Sequence, residues 1–351
     1  MTQDLQTKIE NIISSNQQAD DKDVVFRLKQ LLYETEGRVD ADREAQKIAD
    51  LVAANLRQFT NKTNRNDIIH SGFDDFDNEF GGFYLGEFIV VGGRPAMGKT
   101  QFLVNLSMNI SKTVPTLYVT LDLSELFLTS RFIASVSGIP ASHLLQRDLS
   151  PAQWEQIDIT YRAFTERQLY IYDFCYNTNI TALIAYCQKQ IQENGIQVII
   201  VDYLQLLSSY PHRKYRELEV SFICRELKRL AKENNVSVIA SSQLSRAPEN
   251  RYGEGKRPHL TDLRESGAIE QDADKVIFIH RPEYYSLYED SAGNSLKNVV
   301  EIIVAKNRNG CMGRINLLKD NDFTMLQNDK KVFAFSLDRF REIEGLDESP
   351  F

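Results

Sequence analysis

The segment Gly93-Arg94-Pro95-Ala96-Met97-Gly98-Lys99-Thr100 fits the spacing G-x-x-x-x-G-K-[ST], between the apolar run Phe88–Val91 and a stretch of helical periodicity. In that context the glycines let successive backbone N–H groups turn inward around a phosphate, and the helix N-terminus adds its partial positive charge. Lys99 reaches the β and γ oxygens, and the Thr100 hydroxyl is placed to bind Mg²⁺. A second acid is needed at the end of another strand. Gln197-Val198-Ile199-Ile200-Val201-Asp202 supplies one: a buried parallel strand ending in Asp presents a carboxylate at the sheet's carboxyl edge, where ligands bind. Asp202 is therefore read as a ligand to Mg²⁺ or its water.

Hydrolysis also needs a base for water. Asp122, in Val119-Thr120-Leu121-Asp122-Leu123-Ser124, follows the run Thr116–Thr120, with Glu125 close behind. Asp122 could equally cap the next helix, and residue types alone leave both roles open. Gln243, after the run Val236–Ala240, could sense a γ-phosphate through its amide; read by itself it decides nothing.

These residues need a scaffold. From about residue 68 short apolar runs alternate with helical stretches, which predicts an α/β fold with a mostly parallel central sheet flanked by helices. The predicted strands are Phe88–Val91, Thr116–Thr120, Leu169–Tyr172, Gln197–Val201, Val236–Ala240, Lys275–Ile279 and Val299–Ala305. Arg314–Leu318 and Val332–Ser336 read as further, antiparallel strands. Helical spacing marks Gln101–Ile110, Ser124–Ser137, Ile180–Glu193 and Leu218–Asn234. Residues 1–60 lack Pro and hold one Gly, Gly37, and read as a helical N-terminal segment with two amphipathic stretches, around Val24–Leu32 and Ile48–Phe59. Residues 61–67 form a polar linker, 68–340 the main domain and 341–351 an acidic tail.

The whole chain has 351 residues, 42% hydrophobic and 26% charged, a globular rather than a disordered profile. Its net charge of −8, from 41 Lys and Arg against 49 Asp and Glu, argues against a surface that coats DNA or anionic membrane all over. Cys175, Cys187, Cys224 and Cys311 show no CxxC or zinc spacing and read as reduced thiols. The N-terminus has no export signal, and no run approaches about 18 apolar residues. A soluble, cytoplasmic protein without a membrane partner is expected.

Five motifs then occur in order: GRPAMGKT at Gly93–Thr100, VDYLQL at Val201–Leu206, SQLSR at Ser242–Arg246, DLRESGAIEQDAD at Asp262–Asp274 and AKNRNG at Ala305–Gly310. Over about residues 68–340 the chain resembles the motor domain of DnaB-type replicative helicases. The resemblance implies a RecA-like P-loop NTPase fold, a homo-hexameric ring, ATP and Mg²⁺ between neighbours, and single-stranded DNA in the central hole. It implies that Gln243 couples the γ-phosphate to DNA loops, and that Lys306 and Arg308 are the pair a neighbouring subunit inserts toward that phosphate. It points to DNA contacts from loops around Tyr210–Glu217, Arg246–Arg257 and Arg264–Gly267: Arg213, Lys214, Arg216, Arg246, Arg251, Lys256 and Arg257 as a cationic lining, with Arg264, Glu265 and Gly267 touching the backbone directly. Two departures stand out. The family has Glu where Asp122 stands, so the base is one methylene short and hydrolysis is expected to be slow. Full-length members also carry a larger N-terminal collar domain that meets primase; here about 60 residues precede the motor, of which Arg38–Phe59 matches the linker helix, so a primase or helicase-loader partner is an open expectation. A RecA-like recombinase or another ring ATPase, and a nucleotide-gated DNA-binding ring with weak hydrolysis, are the alternative readings.

Overall fold

The computed structural model describes residues 47–60, 68–176, 178–209, 215–263, 267–290 and 292–329. The chain divides into two compact units, Met1–Arg65 and Asn66–Phe351. In the first, the described part is helix α1 (Ile48–Thr60), whose Ile48, Leu51 and Val52 are exposed. The expected first amphipathic stretch, the start of the linker helix and the polar linker lie outside the described residues.

The second unit follows the predicted alternation. Its elements are β1 (Ile68–Ile69), α2 (Asp74–Phe80), β2 (Phe83–Tyr84), β3 (Phe88–Gly93), α3 (Lys99–Ile110), β4 (Thr116–Thr120), α4 (Glu125–Ser137), α5 (Ala141–Gln146), α6 (Pro151–Thr165) and β5 (Leu169–Asp173). Then come α7 (Ile180–Asn194), β6 (Val198–Asp202), α8 (Arg216–Asn234), β7 (Ser237–Gln243), α9 (Gly267–Asp272), β8 (Lys275–His280), β9 (Val299–Asn307), β10 (Gly313–Lys319) and β11 (Leu326–Asn328). Among the described residues nine strands form one sheet in the order β11-β10-β9-β8-β3-β7-β6-β4-β5. Strands β8 through β5 in that order run parallel, and β9, β10 and β11 are antiparallel.

Two-residue periodicity explains the layering. Phe88 and Val90 face a core with Leu183, Val220 and Leu227 of α7 and α8, whereas Ile89 and Val91 face a second core with Phe76, Phe102, Leu106 and Phe132 of α2, α3 and α4. Both faces of the parallel strands are thus covered, which is why they read as continuous apolar runs.

Three differences from the sequence expectations have physical reasons. Helices α5 and α6 carry little apolar pattern, since α6 fully buries only Thr160; the signal for α6 was its start, where Ser150 and Gln153 form a capping box ahead of Pro151. Strand β9 returns antiparallel to β8 because the connection between them holds, among its described residues, a short 3₁₀ turn, Pro282–Tyr285, and no crossover helix. Strand β7 is longer than expected, so Gln243 is its last residue rather than the first of a loop. The short β11 was not foreseen, and Val332–Ser336 lies outside the described residues.

His280 closes β8, buried and stacked on Tyr285 with ring centroids 5.6 Å apart. Burial pushes its imidazole down to about 4, beyond what the attraction of Glu301 restores. The unfolded chain therefore binds a proton that the folded one refuses between the ordinary histidine range and about pH 4, so stability falls as pH drops through that window. At about 1.4 kcal/mol per tenfold in proton affinity, this amounts to roughly 3 kcal/mol at most. Thermal unfolding of His280→Phe should lose less stability between pH 6.5 and 4 than the parent chain; equal losses would mean that other groups carry the acid sensitivity.

Candidate nucleotide site

Parallel register brings the chemistry to one edge. Gly93 pairs with Gln243 across β3 and β7, and Thr120 pairs with Asp202 across β4 and β6. With about 4.8 Å between neighbouring strands, the ends of β3, β7, β6 and β4 span roughly 14 Å. Asp122 follows β4 directly, at the far end of that span from the phosphate loop.

The loop itself is closely determined. Gly98, which caps the start of α3, has φ of 91°, and a Cβ there would come within 2.2 Å of the Phe323 ring. Only glycine satisfies both demands. Met97 is buried beneath the loop and Pro95 is exposed. Ala96 turns its carbonyl to Arg281, whose guanidinium donates at 3.1 Å and stacks 4.7 Å from Phe323. Arg94 points away from the cradle, donating to Glu249 at 2.9 Å and to the Leu244 carbonyl at 2.9 Å.

Lys99 Nζ donates to the carbonyls of Gly93 at 2.9 Å and Arg94 at 3.2 Å, folded over the loop. Burial pushes this ammonium down to about 8; Asp202 pulls it back up, and Arg94 repels it. A cleft of about 380 Å³ opens in front of it, lined by Ala96, Gly98, Thr100, Arg131, Asp322 and Phe323. Arg131, Asp322 and Phe323 were not singled out from the sequence, because residues on α4 and the β10–β11 turn meet α3 only through the fold.

Asp202 ends β6 and is buried. Its Oδ2 accepts from the Tyr118 hydroxyl at 3.0 Å, and its Oδ1 accepts from the Ser241 hydroxyl. Among the described residues it forms no ion pair, so two neutral donors hold it in place. This carboxylate and the Thr100 hydroxyl are oxygen donors of the kind that suit Mg²⁺, a hard ion that completes its shell with phosphate and water. Sequence reasoning missed Tyr118 and Ser241, which share β4 with Thr116 and Thr120 and β7 with Ser237 and Ser242, so residue type did not mark them.

The cap role for Asp122 falls away. Ser124 occupies the N-cap of α4, the Thr120 hydroxyl bridges the turn to Leu123, and Asp122 is exposed with no hydrogen bond or ion pair among the described residues. Glu125 opens α4, its N–H donating to Asp173 at 3.2 Å. Gln243 is held by its backbone: Gln205 accepts from its N–H at 3.1 Å and donates to its carbonyl at 3.2 Å.

Among the described residues, several of the cations expected to line a DNA path are engaged within the chain. Arg216 is clamped by Glu219 at 2.5 Å and by the carbonyls of Gln205 and Leu207. Arg251 pairs with buried Asp262, Arg257 with buried Glu301 at 2.8 Å, and Lys256 lies over Tyr285 with a bond to the Glu249 carbonyl. Buried carboxylates must be paired, and these arginines pair them. Arg246 is exposed and makes no such contact among the described residues. Gly267 begins α9, and Arg213, Lys214, Arg264 and Glu265 lie outside the described residues.

Lys306 and Arg308 stand at the other edge of the sheet. Antiparallel pairing puts Asn307 opposite Lys275 at the start of β8, and the Arg308 N–H donates to the Asp274 carbonyl at 2.9 Å. Asp274 in turn bonds Phe88, the first residue of β3, whose last residue begins the phosphate loop. Five residue steps along β3 make that separation about 16 Å.

The same combination of fold and loop is found in known proteins. The sequence profile of the DnaB-like helicase C terminal domain matches residues 68–328. The chain belongs to that family. Its relatives include the replicative DNA helicase DnaB of Geobacillus stearothermophilus, 36% identical over 282 residues that cover 80% of this chain and 60% of the relative. DnaB of Rickettsia conorii is 32% identical, covering 91% of this chain and 70% of the relative. The chain thus spans about 60% of the length of the Geobacillus protein. Among solved structures, one described as an ATPase domain superposes with a TM-score of 0.74 at 29% identity, covering 82% of this chain and 100% of that domain. A DnaB-like replicative helicase described together with its interactions with primase gives 0.74 at 27% identity, covering 93% and 76%. The DnaB-like helicase assignment carries the RecA-like architecture with it, and among the described residues no helix is long and apolar enough to cross a membrane.

Phosphate oxygens brought to Nζ should return Lys99 to its ordinary range. Nucleotide binding near pH 8 is therefore expected to take up a fraction of a proton, measurable by titration calorimetry in buffers of different ionisation enthalpy, and the uptake should vanish at pH 6. Binding without uptake at pH 8 would show that Lys99 is already ionised there.

Proposed function

We propose that the protein is the motor of an ATP-dependent, hexameric replicative DNA helicase, acting in the cytoplasm, which moves along single-stranded DNA and separates the duplex at a fork. Residues 68–340 are the motor domain, with the segment before residue 60 supplying the linker helix. The observation that carries this reading is the placement of Lys306 and Arg308 about 16 Å from their own phosphate loop, at the opposite end of β3. The pair can neutralise a γ-phosphate only if a second copy presents one, so each hydrolytic site is completed at a subunit boundary. Repeating that boundary around a closed ring gives six sites.

Within one boundary the chain's residues divide the work. The N–H groups of Gly93–Thr100 hold the phosphates, and Lys99 moves from its two carbonyls to the β and γ oxygens. Thr100 and, through water, Asp202 would hold Mg²⁺, which would supply positive charge to offset that developing on the phosphates. Asp122 orients the attacking water and takes its proton, and the neighbour's Arg308 and Lys306 stabilise the transferred phosphoryl group. Gln243, beside Gly93 in register, registers the γ-phosphate. Its backbone clasp by Gln205 leads to Arg216 through the Gln205 carbonyl at 2.7 Å, and Arg216 opens α8 with Tyr215 between it and residues 210–214. That continuous path supports coupling of hydrolysis to a DNA loop there, with Arg246, the 264–267 segment and backbone N–H groups as the remaining contacts. Contacts of this kind follow the phosphate backbone and read no sequence. A primase or loader would engage the same ring.

Steady-state ATP hydrolysis with and without single-stranded DNA, against Lys99→Ala as background, tests the reading. DNA-stimulated turnover is expected; bound ATP with no turnover above background would make the protein a nucleotide-gated DNA-binding ring instead. Arg308→Ala should fall to background while nucleotide affinity stays within a few fold, and mixing it with Lys99→Ala should restore turnover in mixed rings. If Asp122 is the base, Asp122→Glu should raise turnover by on the order of 10- to 100-fold; a fall would remove it from that role.

A further inference from the structure

Lys306 and Arg308 are both engaged within their own chain. Arg308 donates to the Gln271 carbonyl at 2.6 Å, and its other guanidinium nitrogen stands 3.3 Å from Asp274 Oδ1. Lys306 Nζ donates to the carbonyls of Glu270 at 2.5 Å and Gln271 at 3.4 Å. The last carbonyls of a helix have no donor within it and carry partial negative charge, and these belong to the final turn of α9. Asp274 is buried; its second oxygen accepts the Phe88 N–H at 2.8 Å and the Lys228 ammonium, whose side chain is also largely buried.

We propose that Asp274 and the C-terminal carbonyls of α9 form a seat that retains Arg308 and Lys306 until a polyphosphate in the neighbouring copy draws them away, with Lys228 setting how firmly the seat holds. This rests on the assignment of Arg308 to a neighbour's site. Asp274 is a positioning residue in this scheme, acting through Arg308. The role of Lys228 follows from the cost of a bare buried carboxylate. With Lys228 in place, departure of Arg308 leaves Asp274 still paired, and the two cations repel each other across it while Arg308 is seated. Release therefore lies within reach of the competing phosphate. Departure also removes the donors from the last turn of α9, so its amides become less protected. Since α9 starts at Gly267, the nucleotide state of one subunit reaches the DNA-facing segment of the next.

The two partners of the seat should act in opposite directions, which a merely structural role would not produce. Without Lys228 the departure of Arg308 strands Asp274, so Lys228→Met should raise the apparent KM for MgATP roughly tenfold with kcat within a few fold. Asp274→Asn weakens the hold on Arg308 and should lower KM. Hydrogen exchange of the Ile269–Asp274 amides in the full chain should quicken when a non-hydrolysable ATP analogue binds, and quicken less in Lys228→Met. KM values that move together or not at all, with Arg308→Ala inactive, would overturn the seat and leave the neighbour assignment standing. A fully active Arg308→Ala would overturn both. Should Asp274→Asn not fold, Lys228→Met and the exchange measurement decide: an unchanged KM with exchange insensitive to nucleotide rules the seat out.

Discussion

Backbone hydrogen bonding sets β3 beside β7 with Gly93 opposite Gln243, and the rest of the site is referred to that register. The parallel neighbours of β3 bring their C-terminal ends to the same edge, so the phosphate loop, Gln243, Asp202 and Asp122 line up along it. A slip of one residue in any of these strands would exchange its two apolar faces as well as move its terminal residue. The two cores that clamp the sheet therefore fix the chemistry. Val90 and Val91 bury on opposite sides of the sheet and between them permit one alignment.

The antiparallel return of β9 does the converse. It carries Lys306 and Arg308 to the edge where β3 begins, the full length of a strand from the phosphate they would serve. On the proposed reading, a single chain would then hold the two halves of a hydrolytic site at opposite ends of β3, and association of copies would be a condition of catalysis.

Charge is handled locally in this acidic protein. Glu219, Asp262, Glu301 and Asp274 are buried carboxylates, each paired with an arginine, and Asp274 also with Lys228. Much of the cationic character that the sequence assigns to DNA-facing loops is spent on these pairs. Among the described residues of those loops, Arg246 is exposed and makes no ion pair. The same rule, that a buried carboxylate needs a partner, turns a simple ion pair at Asp274 into a seat with two occupants and makes the release of one tolerable.

The candidate phosphate loop was legible in the sequence because it is a short contiguous segment whose spacing falls between an apolar run and a stretch of helical periodicity. The buried parallel strands were legible too, since being covered on both faces leaves an unbroken apolar run, and the terminal Asp of Val198–Asp202 stood out against it. The sequence could not choose between base and cap for Asp122, because both roles favour an acid just after a strand; the turn made by Thr120 and the N-cap at Ser124 removed the cap role. Nor could it tell a DNA-contacting arginine from one that pairs a distant carboxylate. Arg257 and Glu301 are far apart in the chain and meet only because β9 returns beside β8. Tyr118 and Ser241 likewise look like ordinary strand residues until β4 and β7 flank β6 at Asp202. What depends on neighbours along the chain was determined by the sequence; what depends on neighbours across the sheet was decided by the fold.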